Sequence, residues 1–160
     1  MSHNRLFELN TEPFESDEDH LSEHCLDLSE FPSSYGIDYF MQSESERADD
    51  IQWLRDTFPY AEITSEEGQD ILHIDRKFRE NFKKEIKEHM EEASKYLSRE
   101  VKLKSTNFSM IKFQTNYLMR TCEALFHIDY IRTDIDLYEW LKFNSDVKKL
   151  YIGGIIDFHH

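Results

Sequence analysis

The sequence predicts an α+β fold: a mixed, largely antiparallel sheet packed by one long helix (about residues 75–98) and by shorter helices. Three observations predict it. Phe78, Phe82, Ile86, Met90, Ala93 and Leu97 step by 4, 4, 4, 3 and 4, one continuous apolar stripe on a helix. Short apolar runs bounded by turn residues recur on both sides of it, and two of them, Tyr60–Thr64 and Asp70–Ile74, flank Ser65-Glu-Glu-Gly68-Gln as a hairpin does. The 160 residues include 12 Phe and 8 Tyr, so the core is built from large side chains. A chain of this length buries ~70% of the surface its unfolded form exposes.

Taken in order, Arg5–Leu9 alternates as a first strand. Residues 10–16, with Pro13, form a loop. Ser16 caps a helix whose first turn holds three acids, where the helix dipole favours them. Leu21, Cys25 and Leu28 make its apolar face, and Pro32 ends it. Tyr35–Met41 is a strand. Ser43 and Glu46 have capping-box spacing, opening a helix with Ala48, Ile51, Leu54 and Phe58 inward and Pro59 as its stop. The hairpin follows, and Asp75 caps the long helix. Glu80/Lys84, Lys87/Glu91 and Glu91/Lys95 are i,i+4 pairs on its wet side. Val101–Arg120 fits either a helix or two strands. Glu123–Ile131 is a strand, Thr133–Phe143 a helix with Ile135, Tyr138 and Leu141 inward, and Leu150–Phe158 a last strand bulged or bent at Gly153-Gly154. Trp53 and Trp140 are core anchors. Residues 1–34 form an acidic N-terminal arm or helix, and residues 35–160 a single α+β domain.

Four glycines, at 36, 68, 153 and 154, cannot spell a dinucleotide-binding or P-loop fingerprint. The longest apolar stretch, Leu150–Ile156, falls far short of the ~20 residues a membrane span needs. No signal-peptide pattern follows Met1. Cys25 and Cys122 form neither a disulfide framework nor a metal knuckle, which points to two buried thiols in a reducing, cytoplasmic setting. No cofactor is expected.

Charge is distributed unevenly. The chain carries 19 Lys+Arg and 33 Asp+Glu, net −14. Residues 1–75 hold 3 cations and 20 anions, net −17; residues 76–104 hold 10 and 6, net +4; residues 105–160 hold 6 and 7, net −1. A one-sided field of this kind attracts basic partners and repels polyanions. It excludes a nucleic-acid binder that uses its whole surface.

Three groups carry candidate chemistry. Asp17, His20, His24 and Asp27, spaced 3, 4 and 3, share one stripe if their segment is helical, and imidazole with carboxylate binds divalent ions. The triplets His73-Ile74-Asp75 and His127-Ile128-Asp129 each put a His and an Asp on one face of a strand. Were the two strands neighbours, His73, Asp75, His127 and Asp129 would converge as a metal site or acid–base pair. The third group overlaps the second. An apolar strand ends in Asp75-Arg-Lys77, with Glu62 on the preceding strand. These residues resemble the PD-(D/E)xK nuclease pattern, although Pro59 is followed by Tyr60 rather than Asp. The resemblance implies Glu62 and Asp75 as Mg²⁺ ligands and Lys77 as the amine that positions or activates water.

The leading expectation is a non-enzymatic acidic interaction protein. It is an inhibitor, of immunity type or a nucleic-acid mimic, that docks a basic or nucleic-acid-handling protein. It contacts neither nucleic acid nor membrane directly. Asp17, Glu18, Asp19, Glu23, Glu44, Glu46, Asp49 and Asp50 are its binding residues. The alternative is a metal-dependent hydrolase or nuclease built on the His-Asp/Asp-x-Lys cluster.

Overall fold

The computed structural model describes residues 4–27, 37, 39–102 and 124–159. Among them are seven strands in one sheet and three α-helices: β1 (Asn4–Asn10), β2 (Tyr39–Gln42), α1 (Arg47–Thr57), β3 (Glu62–Glu66), β4 (Gln69–His73), α2 (Arg76–Lys102), β5 (Ala124–Ile128), β6 (Tyr130–Arg132), α3 (Asp134–Phe143) and β7 (Lys149–His159). The sheet runs β3-β4-β7-β1-β5-β6, and β2 also pairs with β7. Only β1 and β5 run parallel; the other pairings are antiparallel. This is the mixed α+β architecture that the sequence predicts.

The chain's first described strand and its last lie together at the centre of the sheet. β1 sits between β7 and β5, and along its other edge β7 pairs with β4 over 149–152 and with β2 over 156–159. One sheet face carries Phe7, Leu9, Leu72, Phe126, Ile128, Leu150 and Ile152, covered by Ile51 and Leu54 of α1, Phe78, Phe82 and Ile86 of α2, and Leu137 and Leu141 of α3. The other face carries Leu6, Leu125, Ile156 and Phe158, with Leu21, Leu26 and Ile37 packed on it. The aromatic core interlocks edge to face: the Phe58 and Phe82 centroids are 6.0 Å apart at 84°.

The bend expected at Gly153-Gly154 is a β-bulge. Phe7 pairs with Ile155 and Leu9 with Ile152, so β7 spends one extra residue opposite Glu8. Both glycines are needed there because other groups crowd the backbone. A Cβ on Gly154 would lie 2.2 Å from the Leu21 carbonyl oxygen, and one on Gly153 would lie 2.3 Å from the Glu8 carboxylate. The β3–β4 turn places Glu67 and Gly68 at φ 51° and 80°, the positive pair of a type I′ hairpin.

Several local expectations change. The helix expected from Ser16 is replaced by two short 3-10 turns, Asp17–Asp19 and Glu23–Cys25. Between them the Leu21 N–H donates to the Glu8 carboxylate at 2.7 Å, so a tertiary acceptor interrupts the helical ladder. Cys25 is exposed rather than buried, and a hydrogen bond from Ser22 lowers its thiol pKa. The capping box at Ser43/Glu46 does not form: Ser43 accepts from Ser45 N–H, and α1 begins after Glu46 without a side-chain cap. Ala48 faces solvent, and Asp50 takes a buried position. Met90, expected inward on α2, is half exposed. The Glu123–Ile131 strand is two strands, bending at Asp129 with φ 64°. The expected strand at Tyr35–Met41 is described over Tyr39–Gln42, while 101–120, apart from the end of α2, and Cys122 lie outside the described residues.

Other local readings hold. Asp75 accepts from Phe78 N–H at 2.7 Å, capping α2. The helix expected at Thr133–Phe143 forms as α3, and Thr133 with Asp136 adds a reciprocal capping box outside the sequence expectations. Along α2 the pairs are Arg76–Glu80, Lys84–Glu88 and Lys87–Glu91, of which only the last has the expected partners.

Candidate functional site

The acidic residues of the N-terminal half gather from two separate stretches. The 17–25 turns are held down by Glu8, whose carboxylate accepts from Leu21 N–H and, at 2.8 Å, from Gly154 N–H. Gln69 adds a second clasp, exchanging two hydrogen bonds with the Phe14 backbone. The 43–50 stretch is anchored by Arg47, whose guanidinium donates to Gly153 O at 2.8 Å, to Ile152 O at 2.7 Å and to Asp70 at 2.7 Å. Two acidic segments distant in sequence are therefore fastened at the same bulge of β7.

Asp17, Glu18, Asp19, Glu44, Glu46 and Asp49 are exposed, and Glu23 is half-buried beside His24 at 3.6 Å. Asp50 departs from the expected set. It is 2% exposed and takes the Arg5 guanidinium at 2.6 Å, so it belongs to the core and cannot touch a partner. Arg5 also lies over the Trp53 ring at 5.0 Å.

Residues 1–75 contain only three cations, and each is engaged by the protein's own groups. Arg5 pairs with Asp50, Arg47 with Asp70 and the β7 carbonyls, and Arg55 donates to Ile63 O at 3.0 Å. Among the described residues no Lys or Arg pairs with Asp17, Glu18, Asp19, Glu44, Glu46 or Asp49. The nearest partners are weak or local, such as His20 at 4.0 Å from Asp17 and the Ser16 hydroxyl on Asp19.

The metal and nuclease candidates do not assemble. His73 lies on β4 and His127 on β5, with β7 and β1 between them, a separation of about 14 Å at ~4.8 Å per strand. His73 is instead bonded to the Thr64 hydroxyl at 2.8 Å, and Asp129 approaches Arg132 at 3.7 Å. Glu62 stands opposite His73 in the hairpin register. The Asp75 carboxylate is used as the α2 cap, and Lys77 is carried away on the first turn of that helix. Asp17, His20, His24 and Asp27 share no helix, so their stripe does not exist. Among the described residues no three His, Cys, Asp or Glu side chains are grouped to hold a metal ion.

One titratable cluster carries no marker in the sequence. The Tyr60 hydroxyl donates to Glu85 at 2.6 Å, and His89 lies 3.6 Å from the buried Asp134. Burial pushes the Glu85 carboxyl up, and nearby Asp134 and Glu88 add to this; the Tyr60 hydrogen bond and His89 oppose it. Burial and the carboxylate push the Tyr60 phenol well above its ordinary value. These residues come from the segment before β3, from α2 and from α3, and only packing unites them.

Comparison with protein-family models, curated proteins and solved structures finds no match. No helix among the described residues is long and apolar enough to cross a membrane.

Proposed function

We propose that this chain is a non-enzymatic interaction protein of the cytoplasm, whose acidic surface docks a basic surface on a partner protein. The reading is of an inhibitor, either an immunity-type protein or a mimic of nucleic acid, and its partner is a basic or nucleic-acid-handling protein. Clustered carboxylates on a fixed scaffold can occupy a site built for phosphates, and their field speeds the encounter. One observation carries the reading: all three cations of residues 1–75 are engaged by internal partners, and among the described residues no Lys or Arg pairs with the carboxylates at 17–19, 44, 46 and 49. The scaffold supports it, because both acidic stretches are pinned to one bulge and little ordering remains to be done on binding.

The test compares the native chain with one in which Asp17, Glu18, Asp19, Glu44, Glu46 and Asp49 are replaced by Lys. Each is immobilised, loaded with native cytosol and eluted over rising salt. At ~0.5 M salt the screening length falls to a few ångströms. The expected result is a basic protein that the native chain releases with salt and the reversed chain never retains. Retention of the same proteins by both chains refutes the proposal.

A further inference from the structure

A second surface, on other elements, has the opposite sign. α2 and α3 pack antiparallel, and a cleft of about 210 Å³ opens between them, lined by Arg79, Phe82, Lys83, Tyr138, Leu141 and Lys142. Its apolar lining is rigid: Phe82 and Leu141 are buried in the core, and Tyr138 meets Phe82 edge to face at 6.2 Å. Its rim is cationic. Arg79 donates to the carbonyls of Leu141, Asn144 and Val147, which fixes the end of α3 but leaves its charge without a carboxylate. Lys83 has no carboxylate partner among the described residues. Lys142 meets Glu139 of its own helix at 3.8 Å, an exposed pair that a better acceptor displaces at little cost. Glu80, the acid among the lining residues, is drawn to Arg76 at 2.7 Å.

Size and charge select the occupant. The cleft is smaller than the ~300–1,000 Å³ typical of small-molecule sites. It has room for one large apolar side chain, the usual anchor of a peptide in a groove. The cations around it, and the net +4 of residues 76–104, complement carboxylates on either side of that anchor. We infer that the α2/α3 cleft docks an acidic peptide segment of a partner protein, which inserts one aromatic side chain between Phe82, Tyr138 and Leu141 and places flanking carboxylates on Lys83 and Lys142.

The test titrates the full ¹⁵N-labelled chain with the blocked peptide Asp-Glu-Phe-Asp-Glu. Expected are saturable amide shifts confined to residues 79–83 and 138–143. Replacing the peptide's Phe with Ala, or its acids with Lys, should abolish them. Lys83→Glu with Lys142→Glu should weaken the acidic peptide about tenfold, the scale of two exposed ion pairs. The inference is overturned if the Ala peptide binds equally well, if the shifts fall elsewhere, or if the double variant, shown folded by its spectrum, binds as tightly as the native chain. It is also overturned if N-acetylphenylalaninate alone binds as tightly as the peptide, which would make the cleft a small-anion site.

Discussion

Replacing Asp50 by Asn should destabilise the protein sharply, although Asp50 lies in the same acidic run as residues that can be changed freely. Its carboxylate is 2% exposed and 2.6 Å from the Arg5 Nε, and Arg5 itself is mostly buried against Trp53. At that distance and an effective dielectric of about 20, the gross attraction is about 6 kcal/mol. Desolvation of both groups offsets much of it, so the pair as a whole is worth little against an apolar substitute. Removing one partner is different, because the Arg5 charge then stays buried alone, and losses of ~3–5 kcal/mol follow. Asn keeps a hydrogen-bond acceptor, so the low end, ~3 kcal/mol, is expected for Asp50→Asn. Glu46→Gln and Asp49→Asn, both exposed, should each change stability by under ~0.5 kcal/mol. Urea unfolding followed by tryptophan fluorescence reads all three, since Trp53 reports on the pair directly. The double replacement Arg5→Met with Asp50→Leu should recover most of the loss. If Asp50→Asn falls within ~0.5 kcal/mol of the native protein, the ion pair is not the structural element described here. Asp50 therefore stays unchanged in the binding test, because a reversal there would abolish docking by unfolding the chain.

Two further outcomes follow from the packing and the titratable cluster. Gly154→Ala drives a methyl into the Leu21 carbonyl and should cost ~1–3 kcal/mol, with faster proteolysis within residues 11–27; an unchanged cleavage rate would mean the arm is not held at the bulge. The Glu85 carboxyl is raised by burial, so it stabilises the fold below the ordinary carboxylate range, and that contribution is lost as pH rises through its folded value. Glu85→Gln should therefore show a higher urea midpoint than the native protein at pH 7 and no advantage near pH 3.5, and a lower midpoint at pH 7 would contradict the direction of the shift.

The sequence marked those elements whose cause is local. The α2 stripe, the Asp75 cap and the Glu67-Gly68 turn each depend on residues within a few positions of one another, where periodicity and capping chemistry act directly. It also marked the charge asymmetry, which is a count and needs no fold. A helix from Ser16 had the right local pattern, yet residues 16–27 do not form it, because the Leu21 N–H found an acceptor thirteen residues away on β1. Of the His-Asp triplets, His73 and His127 lie on strands, but Asp75 caps α2 and Asp129 sits at the bend after β5; strand order, which depends on pairings spread across the whole chain, then keeps the two strands apart.

By itself, then, the sequence determined an acidic α+β chain with a basic long helix, since composition, period and caps are properties of neighbours. Only the tertiary structure decided which charges are available. It buried Asp50 on Arg5, fastened Arg47 to the β7 carbonyls, united Tyr60 with Glu85 and opened the cleft beside Lys83 and Lys142. Those outcomes rest on contacts between residues tens of positions apart, and a charge acquires its role from the partner that burial gives it.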